Sequence, residues 1–378
     1  MGKRGNGEGS ISRRKSGGWM AQYAVYTTKG RKRKTIYGKT RKDVAAKLAT
    51  ALSDREEGLV FDAGTLTVEE FLERWLSDCV RDTVKASTYS SYGQLISKHA
   101  VPVLGRIRLK TLTATHVRGL LREKLDAGLS PRTVQYLRFV LRKALDQAVI
   151  DNLIPRNPVA GVKSPQVRRE EIKPLSPEQA RLFLQTAAEA GDRLEALYAV
   201  AIHLGLRQGE LLALKWEDVD LEAGTLQVRR SLAGSSEGRP VFTTPKTAKS
   251  RRQVRLTIGA TEALKHHRKR QLEERMRVAG LWRDHGLVFT TETGTPIDRH
   301  NLCQRSFRPL LQKAGLSRIR FHDLRHTCAT LLLARGVHPK IVQELLGHST
   351  IAITLDTYSH VLPGMGNAAA GAMDEALG

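Results

Sequence analysis

The chain is poor in the residues that would tie it to a disulfide framework, a thiolate metal site or a lipid bilayer. Of its 378 residues only three are cysteine: Cys79, Cys303 and Cys328. They are odd in number, far apart and lack C-x-x-C spacing, which argues against disulfides and Cys-ligated zinc and leaves buried thiols as the expectation. Long apolar runs are also missing. The nearest approach, around Leu194 to Leu206, is interrupted by Glu195 and His203, so no membrane span is expected. The first ten residues, MGKRGNGEGS, carry charge without an apolar segment behind them, and Asn6 spoils a myristoylation match. A cytoplasmic protein with no membrane partner is the expectation. Acidic residues are scarce as well: 38 Asp and Glu face 62 Lys and Arg, a formal charge of +24. An excess of that size calls for a polyanionic partner, with nucleic acid ahead of a membrane surface.

What is present divides the chain into three. Residues 1–62 hold the densest positive charge, with 15 Lys and Arg against 5 Asp and Glu up to Val60. In GGWMAQYAVYT, the residues Trp19, Ala21, Tyr23 and Val25 alternate onto one face; a turn follows, and RKRKTIYG supplies a second extended run. A short strand near Ile11 makes three, and Thr40 can cap a helix through about Glu57, with Val44 and Leu48 on its inner face. The expected unit is a small α+β domain, a three-stranded sheet backed by one helix. Its run Arg31, Lys32, Arg33 and Lys34 fits phosphate neutralisation by a sheet entering a groove; a solvated hairpin is the plain alternative.

Residues 65–160 read as all-helical. Thr67 caps a helix bearing Phe71, Leu72, Trp75 and Leu76, and further helices start near Ser87 and Thr113. In LSPRTVQYLRFVLRKALDQAV, Ser130 caps, Pro131 fits the first helical position, and Val134, Leu137, Leu141, Ala144 and Ala148 recur at three and four. Arg132, Arg138 and Arg142 fall on the remaining surface, facing DNA or solvent. A Pro-rich, charged stretch over 161–171 reads as a linker, and a third domain, 172–378, opens with the capping-box spacing of Ser176, Pro177 and Gln179.

That third domain carries the chemistry. Arg207 follows an apolar helix and precedes Glu210 by three; two strands flank the loop TTPKTAKSRR; FHDLRH holds His322 and Arg325; LLGHS holds His348; TLDTYSH holds Tyr358. Taken alone, H-D-x-x-H approaches the zinc motif H-E-x-x-H, but a zinc site needs a third ligand, and Arg325 would set a cation beside the metal. A phosphate site is the better reading, with no metal.

The ordered set R-x-x-E, Lys on a hairpin, H-x-L-R-H, L-G-H and Tyr resembles the catalytic domain of the tyrosine recombinase, or phage integrase, family. Upstream, the helical part is similar to that family's core-binding domain, and residues 1–62 resemble the arm-type DNA-binding domain of its integrase subgroup. The resemblance implies a mainly α catalytic fold with a small sheet and a site-specific recombinase of a phage or integrative element. Tyr358, the one tyrosine after Arg207, would be the nucleophile that forms a 3′-phosphotyrosyl link, with strand exchange through a Holliday junction. Arg207 and Arg325 would hold the phosphate, Lys246 would protonate the leaving 5′ oxygen with Lys249 as rival, and His322 and His348 would bind phosphate or help the phenol. Glu210 would support Arg207, while His326 reads as structural. No cofactor is implied; the implied partners are double-stranded attachment sites, three further copies in a homotetramer, a host DNA-bending protein and an excision factor. Two alternatives stay open, a DNA-binding protein without recombination and strand cleavage of the type IB topoisomerase kind.

Overall fold

Alternation in the first segment becomes an antiparallel sheet in order β1 (Ser10–Arg13), β2 (Trp19–Thr27), β3 (Gly30–Gly38), followed by helix α1 (Arg41–Glu56). The structure is a computed structural model that describes residues 9–27, 30–56, 65–167, 172–236, 239–243, 251–358 and 373–377. Register pairs Ala21 with Ile36 and Tyr23 with Lys34, so these four share the face on which Val44 and Leu48 of α1 close a small core. Thr40 caps α1 by accepting from the Asp43 amide at 3.1 Å. Arg33 falls on the opposite, open face of the sheet and is exposed.

The chain separates into two compact units, Met1–Arg169 and Glu170–Gly378. The first also contains α2 (Val68–Trp75), α3 (Ala86–Leu95), α4 (Val101–Leu104), α5 (Ala114–Asp126) and α6 (Pro131–Ile150), which have a core of their own. Thr67 and Thr113 form capping boxes, and Ser130 caps α6 ahead of Pro131. The stripe Val134, Leu137, Leu141, Ala144 and Ala148 is buried, and Val140 and Leu145 widen it.

The second unit starts with α7 (Pro177–Glu189), whose Ser176–Gln179 capping box is formed. Helix α8 (Glu195–Leu204) is apolar on nearly every side and runs through the middle of the core, which is why its sequence looks like a truncated membrane span. Among the described residues no helix is long and apolar enough to cross a membrane. After it come α9 (Gln208–Leu211), β4 (Val219–Asp220), β5 (Thr225–Val228), β6 (Ser231–Ser236), β7 (Arg239–Thr243) and β8 (Arg252–Arg255). Strands β4, β5 and β8 form one sheet, and β6 and β7 pair separately as a bulged hairpin. Helices α10 (Ile258–Val278), α11 (Arg299–Asn301), α12 (Arg308–Lys313), α13 (Asp323–Ala334), α14 (Pro339–Leu346) and α15 (Ile351–Tyr358) complete the unit.

Two expectations change on contact with these elements. The basic stretch from His266 is not solvated all round, because α10 turns His267 and Gln271 into the core, where both meet the Val288 carbonyl, at 2.7 and 2.9 Å. Of the three cysteines only Cys328 is fully buried; Cys79 and Cys303 are half-buried.

Candidate active site

Two left-handed glycines set the geometry of the site. Gly205 ends α8 at φ +60°, and Gly347 ends α14 at φ +66°. Neither turn tolerates a side chain: a methyl on Gly205 would come within 2.6 Å of Leu346, and one on Gly347 within 2.9 Å of the Arg252 guanidinium. Their carbonyls, at helix ends where partial negative charge collects, each anchor an arginine. Arg325 Nη1 donates to Gly205 O at 2.8 Å, and Arg207 Nη2 donates to Gly347 O at 3.0 Å.

Arg207 sits just before α9, and its place is fixed twice more by Glu210. The Glu210 carboxylate accepts from Arg207 Nη1 at 2.6 Å and from the Arg207 amide at 3.0 Å. It also accepts from Arg252 Nη2 at 3.1 Å, while Arg252 Nε donates to Leu345 O at 2.5 Å. Burial would raise the Glu210 pKa, but Arg252 and Arg207 outweigh it and hold the carboxyl below its usual range. Arg252, on β8, was not among the sequence candidates. It ties the strand that follows the Lys-bearing loop to α9 and to the turn before His348.

Arg325 is 2% exposed, and its Nη2 has no hydrogen-bond partner. Burial, with Arg207 alongside, lowers its pKa to about 9. Arg207 and Arg252 thus share a single carboxylate, Arg325 stands near them without an acid of its own, and one buried donor stays unsatisfied. An anion supplying acceptor oxygens would relieve both faults.

The histidines line the same region. His322 begins α13, where burial first and then His326, Arg325 and Arg207 push its pKa down to about 4 even though part of its surface is open to solvent. His348 is pushed to about 3, again by burial and then by the arginines, and its Nδ1 lies 2.8 Å from Thr354 Oγ1 on α15. Tyr358 ends α15 with 1% of its surface exposed, and its Oη lies 2.6 Å from His326 Nδ1. Burial raises the phenol pKa, opposed by Arg325. The histidine read as structural is therefore the one that touches the tyrosine. Its signal in the sequence was its position one residue past Arg325, which says nothing of contact with a residue 32 positions on.

Asp323, the acid of the zinc-like motif, is held by Arg320. Its carboxylate accepts from the Arg320 amide at 2.7 Å and from Arg320 Nη2 at 2.9 Å. Lys246 and Lys249 lie outside the described residues, as do the side chains of Arg31 and Lys32. In the first unit Arg138 spends its guanidinium on the carbonyls of Val162 and Val159, whereas Arg132 and Arg142 are exposed.

Arg207, Glu210, His322, Arg325, His348 and Tyr358 are thus brought together on one unit from four helices and their ends, α9, α13, α14 and α15. A family model described as the phage integrase family matches residues 173–364, more than half of the chain. This chain belongs to the phage integrase family. A second model, the N-terminal SAM-like domain of phage integrases, matches residues 67–125. A tyrosine recombinase XerC-like protein of Caldanaerobacter subterraneus is 34% identical over 365 residues, covering 90% of this chain and 93% of the relative. The ICEBs1 integrase of Bacillus subtilis is 27% identical, covering 89% and 91%. Among solved structures, the Tn1549 transposon integrase in complex with a circular intermediate DNA shares the fold at TM-score 0.69 and 22% identity, covering 82% of this chain and 99% of that one. Lambda integrase, solved as a tetramer bound to a Holliday junction, matches at TM-score 0.57 and 20% identity over 93% and 96%. Phage integrase membership bears out the resemblance read from the ordered motifs, and these solved structures bear out the multidomain fold expected with it.

Proposed function

We propose that the chain is a site-specific DNA recombinase, the integrase of a phage or integrative element, acting in the bacterial cytoplasm on double-stranded attachment sites as a homotetramer. Tyr358 Oη attacks a scissile phosphate, a 3′-phosphotyrosyl link forms, and the freed 5′ oxygen leaves with a proton. The 5′ hydroxyl of a partner strand then attacks the link and restores a phosphodiester, so bond energy is conserved through the Holliday junction. Arg207 and Arg325 hold the non-bridging oxygens, with fixed guanidinium forks meeting charge that grows in the transition state. Neutral His322 and His348 donate to the same oxygens, and Glu210 keeps Arg207 in place. Lys246, assigned through the family pattern, protonates the leaving oxygen. Residues 1–62 bind arm-type sites through Arg31, Lys32, Arg33 and Lys34, and 65–160 grip the core site with Arg132 and Arg142; the linker over 161–171 joins them to the catalytic domain, 172–378. A host DNA-bending protein and an excision factor complete the partners.

The observation that carries this reading is the unsatisfied, fully buried Nη2 of Arg325 beside Arg207 and Tyr358. Leaving that donor orphaned costs about 1–3 kcal/mol, a cost that the oxygens of a bound phosphate would remove. Nicked duplexes tiled across the DNA flanking this gene test it, incubated in EDTA with the wild type and with Tyr358→Phe and run on a denaturing gel. A protease-sensitive adduct formed by the wild type alone is the expected result. Tight binding by both proteins without any adduct would sink the recombinase reading in favour of a DNA-binding protein.

A further inference from the structure

The reaction needs an acceptor for the phenol proton, and the sequence motifs offered His322 and His348. Their surroundings point elsewhere. His348 directs Nδ1 at Thr354 Oγ1, 2.8 Å away, and His322 turns its ring edge-on to His326 with centroids 5.0 Å apart. Among the described residues, the histidine nitrogen against Tyr358 Oη is His326 Nδ1, at 2.6 Å, with the two rings 5.6 Å apart. Tyr358 is buried and its phenol is held protonated, so it has one O–H to give, and this nitrogen receives it.

We infer that His326 is the base of the cleavage step: it takes the Tyr358 proton on Nδ1 as Oη bonds to phosphorus, and returns it to the phenol when the strands rejoin. This rests on the proposed recombinase function. The step balances: the Oη–P bond forms as the P–O5′ bond breaks, the phenol proton moves to His326, and the proposed Lys246 supplies a proton to O5′. The groups facing His326 suit the task. Burial, Arg320 and Arg325 favour its neutral form, and Asp323, in contact with Arg320, offsets part of that and would steady the imidazolium once formed. His322 and Tyr358 complete its shell, and around the phenol Arg325 favours the phenolate while Cys328 and Asp323 oppose it.

The test uses the full chain and the nicked duplex that the trapping assay identifies, in single-turnover cleavage from pH 5.5 to 9.5. His326→Gln keeps an amide that can bond the phenol but cannot take its proton. It should bind the duplex as the wild type does and cleave about 100-fold or more slowly at pH 7. Its rate should climb about tenfold per pH unit, because hydroxide must then do the work, while the wild type levels off. Cleavage within threefold of the wild type, or a loss equal at every pH, overturns the proposal and marks His326 as a packing residue. No Tyr358-dependent adduct from the wild type overturns the recombinase reading, and the base assignment with it. A readout without DNA guards against misfolding: 3-fluorotyrosine placed at 358 should show a 19F titration below the usual histidine range that His326→Gln removes. Persistence of that titration in the variant also counts against His326.

Discussion

Arg325 shows what a single side chain contributes here. One of its nitrogens is tied to Gly205 O and another is left over, so its use depends on a planar fork rather than on charge alone. Arg325→Lys keeps a cation but loses the second donor, and should cost about 100- to 1,000-fold in adduct formation with the melting temperature little changed; quantitative gels on the trapping duplex would measure it. The histidines make a second prediction, on stability against pH. His322 and His348 titrate at about 4 and about 3 when folded, below the ordinary value of 6.5. Between about 6.5 and 4 the unfolded chain binds protons that the folded chain refuses, so stability is complete above that window and is lost as pH falls through it. Urea midpoints at pH 7.5 and 5.0 should therefore differ, the lower pH giving the lower midpoint, and equal midpoints would contradict the assignment. At this scale the sequence was legible wherever a residue belonged to an ordered motif, as with Arg207, Glu210 and Tyr358. It was opaque for Arg252, which belongs to no motif and meets Glu210 across 42 positions, and for His326, whose place at the end of H-x-L-R-H does not reveal its contact 32 positions on.

Among the elements, the turn at Gly205 and the Arg252 bridge hold the site to its scaffold. Gly205→Ala would force a side chain to a positive φ and into Leu346, and should cost at least about 1–3 kcal/mol by denaturant melts. Arg252→Met strands the buried Glu210 carboxylate with one partner fewer, an error worth about 3–5 kcal/mol. Adding Glu210→Met should recover a good part of it, and a double-mutant cycle that is additive would show that the bridge is not a coupled pair. Helices were the most readable elements, because caps and apolar periods are local: the starts at Thr67, Ser130 and Ser176 follow from three or four adjacent residues. The β6–β7 hairpin carries little sequence signal, since its serines and glycine lack strand periodicity and its pairing is bulged. The buried face of helix α10 is hidden in the sequence for a related reason. The helix continues its buried stripe from Leu264 with His267 and Gln271, polar residues that backbone carbonyls satisfy, and hydropathy cannot count those bonds in advance.

At the level of the whole molecule, charge and connectivity govern the outcome. A formal +24 spread along the chain implies many phosphate contacts, so the logarithm of the affinity for the duplex should fall linearly with the logarithm of salt, by several orders of magnitude between about 50 and 200 mM. A filter-binding series would show it, and a flat series would leave the basic excess without a role. The border between the two compact units was legible, because the charged, Pro-rich run before Leu175 marks a change of core.

Tyr358, the proposed nucleophile, is held by its own chain: His326 grips it at one end of α15 and His348 grips Thr354 in the same helix. Each protomer then carries a loaded trigger before any partner arrives, and mixing Tyr358→Phe with Arg325→Ala should not restore adducts through sharing. Were four such copies to meet around two duplexes, all would be cocked at once, so orderly exchange of one strand pair at a time would have to come from holding two of them back rather than from arming the other two.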